Sequence, residues 1–119
     1  MNKVFIQGRL TKDIELRYTS TNNTPVASFS LAVDREFEKD KTDFINCVAY
    51  GKTAEFLSKY FNKGKLLLAI GTLQTRNYDD KDGKRVYITE VIIEKTYFTG
   101  NKEETKEEFT PVTNEELPF

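Results

Sequence analysis

A strand, a helix and a second strand follow one another between Phe44 and Tyr78, and this succession restricts the fold more than any other feature of the sequence. Residues 44–52 alternate with the period of two that defines a β-strand, and residues 65–78 form a second long strand. Between them a helix is predicted over residues 52–62, because apolar side chains recur at i, i+3 and i+7. These side chains are Ala54, Leu57 and Phe61. The rest of the chain must therefore fit around a sheet that one helix interrupts.

Two aromatic side chains, Phe44 and Tyr50, lie on the outward parity of the first of these strands. The inward parity carries small or apolar residues, namely Ile45, Cys47 and Ala49. The second strand ends in Tyr78, and each strand has a cation close to its aromatics, Lys52 on the first and Arg76 on the second. Outward aromatics interleaved with cations suit the stacking of bases and the neutralisation of phosphates. The alternative is that the same rings are core residues of a small barrel.

Four other segments have the pattern of strands. Residues 2–10 alternate with period two, residues 13–18 continue them, and residues 25–33 and 84–98 form two more strands. Gly8 predicts a bend in the first strand. The order is thus strand, strand, strand, helix, strand, strand, which predicts an all-β, five-stranded barrel of the oligonucleotide/oligosaccharide-binding (OB) type with one helix between strands 3 and 4.

The connections and the second long strand add three expectations. The charged segment 34–43 is predicted to be a solvated hairpin, in which Phe37 has no evident folding role. The interior of strand 65–78 is predicted to be formed by Leu67, Ala69, Gly71 and Leu73. The opposite parity is also apolar, with Leu66, Leu68 and Ile70, and a patch of that kind predicts cover by a second subunit.

Composition excludes several classes of function. The chain has no histidine, which excludes His-based catalysis and His-ligated metals, and its single cysteine, Cys47, cannot form an internal disulfide. No apolar run approaches the roughly 18 residues of a membrane span, so a cytoplasmic protein is expected. A nuclease would need converging carboxylates, and the candidates are Asp79, Asp80, Asp82 and Glu90. Because the first three suit a hairpin turn, we predict no enzyme, no metal and no cofactor.

Charge divides the chain into two parts. Residues 1–100 hold 16 Lys and Arg against 13 Asp and Glu, whereas residues 101–119 hold 2 against 6. The first part is predicted to be the folded domain. Because residues 101–114 lose all periodicity, the second part is predicted to be a disordered acidic tail.

Several short motifs follow one another along the chain: Asn2-Lys3-Val4, Arg17-Tyr18, Tyr50-Gly51-Lys52, Gly71-Thr72-Leu73, Thr75-Arg76, Thr89-Glu90-Val91, and a final Glu115-Glu116-Leu117-Pro118-Phe119. In this order and at this spacing they resemble the bacterial-type single-stranded DNA-binding protein (SSB) family, as a short-linker member, over nearly the whole chain. The resemblance implies sequence-tolerant binding and protection of single-stranded DNA in replication, recombination and repair. It also implies a homotetramer associated with the nucleoid and a tail tip that recruits replication and repair proteins.

The resemblance also implies roles for individual residues. The base-stacking aromatics correspond to Phe37, Phe44, Tyr50 and Tyr78. The phosphate-contacting cations correspond to Lys3, Arg17, Lys52 and Arg76, and charge placement alone adds Arg9 and Arg35. The partner-binding tip corresponds to Glu115, Glu116, Leu117, Pro118 and Phe119. The chain departs from the family at three stacking positions where tryptophan is frequent, which are here Phe37, Phe44 and Tyr78.

One further alternative keeps the fold and changes the function. An OB protein of a primosome-like assembly would retain the barrel and the tail but would lose the cations beside the exposed rings. Lys52 and Arg76 argue against this alternative.

Overall fold

A computed structural model describes residues 1–98, which form six strands and one helix. The elements are β1 (Val4–Leu10), β2 (Glu15–Tyr18), β3 (Pro25–Asp34), β4 (Thr42–Tyr50), α1 (Gly51–Tyr60), β5 (Leu66–Asp79) and β6 (Arg85–Phe98). The predicted tail, residues 101–119, and its tip lie outside the described residues.

The strands close into a barrel. Their order is β1-β5-β6-β4-β3-β2. An additional pairing between β1, at one edge, and β3, next to the other edge, closes the sheet on itself. β2 pairs with the first half of β3 and β1 with its second half, so β1 and β2 act together as one bent strand. The predicted five-stranded OB barrel is confirmed, with its first strand divided in two.

Two glycines permit the close approaches that closure requires. A Cβ on Gly8 would lie 2.7 Å from the carbonyl oxygen of Ala32, where β1 crosses β3. A Cβ on Gly71 would lie 2.2 Å from the carbonyl oxygen of Ile92, beside the register shift between β5 and β6. Any larger residue would push the paired backbones apart, so both strands depend on glycine at these positions.

The barrel interior contains the side chains of the predicted parity. Ala27, Phe29, Leu31, Cys47, Ala49, Leu67 and Ala69 are all buried. The helix α1 packs against β2, β3 and β4 and adds buried Ala54, Phe56, Leu57 and, just beyond its end, Phe61. Burial raises the pKa of the Cys47 thiol to about 12, so the thiol is protonated at neutral pH.

Two sequence expectations differ from the structure. Leu73 was expected in the interior but is 45% exposed, because β5 runs past the end of the barrel as one strand of a projecting hairpin. The helix was expected over residues 52–62 but ends at Tyr60, since Phe61 has extended backbone angles and serves as its C-cap. Within residues 1–98, no helix has the length and hydropathy needed to cross a membrane.

Candidate nucleic-acid interface

An open groove lies where two hairpins separate from the barrel. Within residues 1–98, the parallel pair β4–β6 is joined at Cys47–Val91 and Val48–Ile92, and the earlier residues of the two strands are not paired with each other. The β3–β4 hairpin forms one wall and the β5–β6 hairpin the other. The groove has a volume of about 340 Å³. Its lining residues are Lys12, Ser28, Phe29, Ser30, Asn46, Cys47, Val48, Arg76, Ile88 and Glu90.

The four aromatics that the sequence singled out all lie outside the core. Phe37 is 95% exposed, Phe44 66%, Tyr50 50% and Tyr78 48%. Phe44 and Tyr50 share the outward parity of β4 with the groove residues Asn46 and Val48. This exposure excludes the alternative in which the rings fill the barrel, although their role in binding stays a prediction.

Two cations lie in register with two of these rings. Arg9 on β1 pairs with Ala32 on β3, which pairs in turn with Phe44 on β4. Because neighbouring strands are about 4.8 Å apart, Arg9 and Phe44 stand about 10 Å apart on one face. The guanidinium of Arg9 donates a 3.0 Å hydrogen bond to the Gly64 carbonyl oxygen, which fixes its orientation.

A second arginine and ring are related in the same way at the other end of β4. Arg17 on β2 pairs with Val26 on β3, which pairs with Tyr50 on β4. Arg17 donates a 3.2 Å hydrogen bond from Nη2 to the Ser28 hydroxyl, and Ser28 lines the groove. Each ring on β4 therefore has an arginine two strands away.

Arg76 lines the groove from the opposite wall, and Tyr78 is the ring nearest to it along β5, outside the lining itself. They are two residues apart on β5 and so share a face, on which Ile88 and Val86 of β6 lie opposite them. Arg76 Nε donates a 3.0 Å hydrogen bond to Glu90 Oε1. The Arg76 side chain is 52% exposed, whereas that of Glu90 is only 7% exposed.

Arg35 is held by two carboxylates. It donates from Nε and Nη2 to the two oxygens of Asp43, at 3.1 and 3.0 Å, and from Nη1 to Glu38 at 2.8 Å. The contact with Arg35 lowers the pKa of Asp43 below its ordinary value. In the free protein this guanidinium therefore braces residues 35–41, the segment that carries Phe37, and its charge is already compensated.

The remaining predicted cations, Lys3 and Lys52, are not among the groove-lining residues. Lys3 donates to Glu94, which also accepts a 2.8 Å hydrogen bond from the Thr72 hydroxyl. This pairing, with Lys3 the larger contributor, lowers the pKa of Glu94. Lys52 is exposed in the first turn of α1, two residues after Tyr50.

An apolar patch covers a different part of the barrel. Leu66, Leu68 and Ile70 are partly exposed on the outward face of β5, as the sequence predicted. Phe5 of β1, which is 69% exposed, pairs with Ile70, and Tyr97 of β6 pairs with Leu68. Three adjacent strands thus contribute to one apolar surface.

Several of these features were missed by sequence reasoning. The polar groove residues Ser28, Ser30 and Asn46 share the outward parity of β3 and β4, so the alternation could have identified them. The ion pair of Arg76 with Glu90 joins two strands whose register is set by their pairing, and no local pattern indicates it. Phe5 interrupts an otherwise polar outward parity, and that interruption was a usable signal.

The carboxylates considered for catalysis have structural partners. Asp80 Oδ1 accepts from the backbone N–H groups of Asp82 and Lys84, at 2.9 and 2.8 Å, and so shapes the hairpin turn. Asp79 pairs with Arg85. Within the described residues, no three acidic or cysteine side chains are grouped so that they could hold a metal ion.

Comparison with known proteins gives a consistent result. The model of the single-strand binding protein family matches residues 1–99. A single-stranded DNA-binding protein of Clostridium perfringens is 49% identical over 85% of this chain and 69% of its own length. Single-stranded DNA-binding protein 2 of Clostridium acetobutylicum is 44% identical over the full length of both chains. The corresponding protein of Bacillus cereus is 52% identical over 82% of this chain and 59% of its own length.

Proposed function

The chain belongs to the single-strand binding protein family, and on that premise we propose that it coats and protects single-stranded DNA, with little regard to base sequence, during DNA replication, recombination and repair. One observation carries the proposal: four aromatic rings are exposed, and two of them, Phe44 and Tyr50, stand on the same parity of β4 as the groove residue Asn46 while Cys47 and Ala49 between them are buried. Apolar ring surface that is exposed to water is unfavourable, and stacking of a base removes it from water. Every base has a flat face that can stack in this way.

The cations supply the second part of the mechanism. Arg9 and Arg17 are each oriented by a hydrogen bond to an uncharged oxygen, so less side-chain freedom is lost when a phosphate binds. Arg76 stays a prediction as a phosphate contact, because Glu90 already compensates its charge. Lys3, which is paired with Glu94, and the exposed Lys52 are further candidates for phosphate contacts. Arg35 stays a prediction as a DNA contact, and its two carboxylate partners suggest that its first role is to hold the loop of Phe37.

A protection assay tests this proposal against an enzymatic alternative. Oligo(dT) is incubated with the protein and Mg²⁺, with and without a single-strand-specific nuclease. The oligonucleotide should stay intact with the protein alone. When the protein saturates it, it should also resist the added nuclease. Cleavage by the protein alone, or digestion at the rate of naked DNA despite saturating protein, would contradict the proposal.

We further propose that the protein acts as a homotetramer in the cytoplasm, at the nucleoid. The apolar surface of Phe5, Leu66, Leu68, Ile70 and Tyr97 supports self-association, because exposed patches of this kind on a small domain are normally covered. It lies on β1, β5 and β6, away from the groove lining, so subunits that meet there leave the groove open.

The tail tip is proposed to recruit replication and repair proteins. Glu115 and Glu116 suit a basic ridge, Leu117 and Phe119 suit an apolar pocket, and Pro118 restricts the residue before it to extended conformations. Deletion of residues 117–119 should abolish capture of these proteins and leave affinity for oligo(dT) unchanged or slightly higher. Undiminished capture by the deleted chain would place the recruiting surface on the barrel.

A further inference from the structure

A carboxylate lines the groove in which a polyanion is proposed to bind. Glu90 is 6% exposed and contributes to the wall of the groove from β6. A buried negative charge opposes the approach of phosphates, and burial itself costs free energy unless the charge is compensated. A carboxylate at this place therefore needs an explanation beyond general DNA affinity.

Among residues 1–98, one of the two Glu90 oxygens has a hydrogen-bond donor. Oε1 accepts the 3.0 Å hydrogen bond from Arg76 Nε. Oε2 has no hydrogen-bond donor among residues 1–98, and it is not a fully enclosed atom, while Glu90 as a residue lines the groove. A ligand that donates to Oε2 would satisfy a nearly buried charged acceptor, which is a strong type of hydrogen bond.

The groove has the size and lining for one base. Its volume of about 340 Å³ lies within the range of roughly 300–1,000 Å³ that is usual for small-molecule sites. Val48 and Ile88 offer apolar surface to a ring, and Asn46 offers an amide next to them. Because Arg76 and Glu90 compensate each other, this place has no net positive charge to hold a phosphate, and the part of a DNA strand that suits it is a base edge.

We propose that Glu90 Oε2 accepts a hydrogen bond from the exocyclic amino group of one base, so that this position prefers cytosine to thymine. The inference rests on the proposed function. Carboxylates accept from the N4 amino group of cytosine, whereas thymine presents the O4 carbonyl there and would be repelled. Arg76 stays paired with Oε1 and neutralises the carboxylate. Binding is thus tolerant of sequence along most of the strand and selective at one nucleotide per barrel.

The test compares oligo(dC) and oligo(dT) of equal length with the wild-type chain and with Glu90→Gln. Glutamine keeps an oxygen that can accept the hydrogen bond from Arg76. It places an amide NH₂ group where Oε2 was, which replaces an acceptor with a donor. The ratio Kd(dC)/Kd(dT) should rise about five- to tenfold in the variant. Differences in stacking between the free oligonucleotides cancel, because the same two strands are used with both proteins.

A second arm changes the ligand and needs no variant. A strand of 2-pyrimidinone, which is cytosine without its amino group, should bind the wild-type chain about fivefold more weakly than oligo(dC) and should bind Glu90→Gln with no such loss. Glu55→Gln is the matched control, since Glu55 is an exposed carboxylate on α1 outside the groove. That control should leave the ratio Kd(dC)/Kd(dT) unchanged.

Three outcomes would overturn the inference. An equal loss for both strands in Glu90→Gln would make Glu90 only a positioning residue for Arg76. An unchanged affinity for 2-pyrimidinone would remove the amino group from the contact. Failure of the wild-type chain to bind either strand would contradict the proposed function itself, on which the inference depends.

Discussion

At the scale of single residues, the exposed rings of Phe44 and Tyr78 should contribute to binding and very little to stability. Phe44→Ala or Tyr78→Ala should each weaken oligo(dT) binding by about 1–3 kcal/mol, because each removes one stacking platform. Fluorescence anisotropy measures the affinity, and thermal melting measures the stability.

Tyr87→Ala is the matched control for these two substitutions. Tyr87 is 74% exposed on the same hairpin, but it pairs with Asn77 and so lies on the face opposite to Tyr78. Affinity should be nearly unchanged in this variant. An equal loss in all three variants, or a sharp fall in melting temperature with normal binding, would contradict the assignment.

Another residue-scale prediction concerns Thr96 in the barrel interior. Its hydroxyl is buried and has no hydrogen-bond partner among the described residues. Thr96→Val has nearly the same shape and removes the unsatisfied group, so it should raise the free energy of unfolding by about 1 kcal/mol. Urea unfolding tests this, with exposed Thr89→Val expected to change stability by less than about 0.5 kcal/mol. A clear loss of stability in Thr96→Val would show that the hydroxyl has a partner.

At the scale of elements, the loop between β3 and β4 depends on Arg35. Its bond to Asp43 lowers the pKa of that carboxyl below the ordinary value of 3.8. The contact therefore stabilises the loop fully above pH 3.8 and is lost as the pH falls through the lower folded pKa. Carbon NMR of the Asp43 carboxyl should give a midpoint below 3.8 in the wild-type chain and an ordinary midpoint in Arg35→Ala. Lys41→Ala is the control. A midpoint that does not respond to Arg35→Ala would contradict this account of the loop.

The elements also show how far the sequence determines the fold and the site. The alternation of Ile45, Cys47 and Ala49 with exposed Phe44, Asn46 and Tyr50 predicted one wall of the barrel correctly, because a strand with one buried face leaves a period of two; Val48, on the outward parity, is buried as well. Leu73 fits the same pattern and is exposed, since the pattern does not indicate where β5 leaves the barrel. The bond between Arg76 and Glu90 could not be predicted either, because it depends on the register of two strands.

At the scale of the whole molecule, the apolar surface on β1, β5 and β6 should hold subunits together. Light scattering at micromolar concentration should give four times the chain mass of 13.8 kDa. Ile70→Glu places a charge within the patch and should shift the mass toward one or two chains, whereas Tyr87→Glu, on the projecting hairpin, should not. A wild-type mass of one chain would contradict the proposed tetramer.

One titration tests whether the groove binds single strands by stacking and phosphate neutralisation. Affinity for oligo(dT) and for a duplex of equal length is measured at several salt concentrations. Single strands should bind far more tightly, and log K should fall with log salt at a slope of about −0.7 for each neutralised phosphate. A substantial affinity should persist at high salt, because stacking does not depend on counterions. Equal affinity for the two DNA forms, or affinity that vanishes entirely with salt, would contradict the claim.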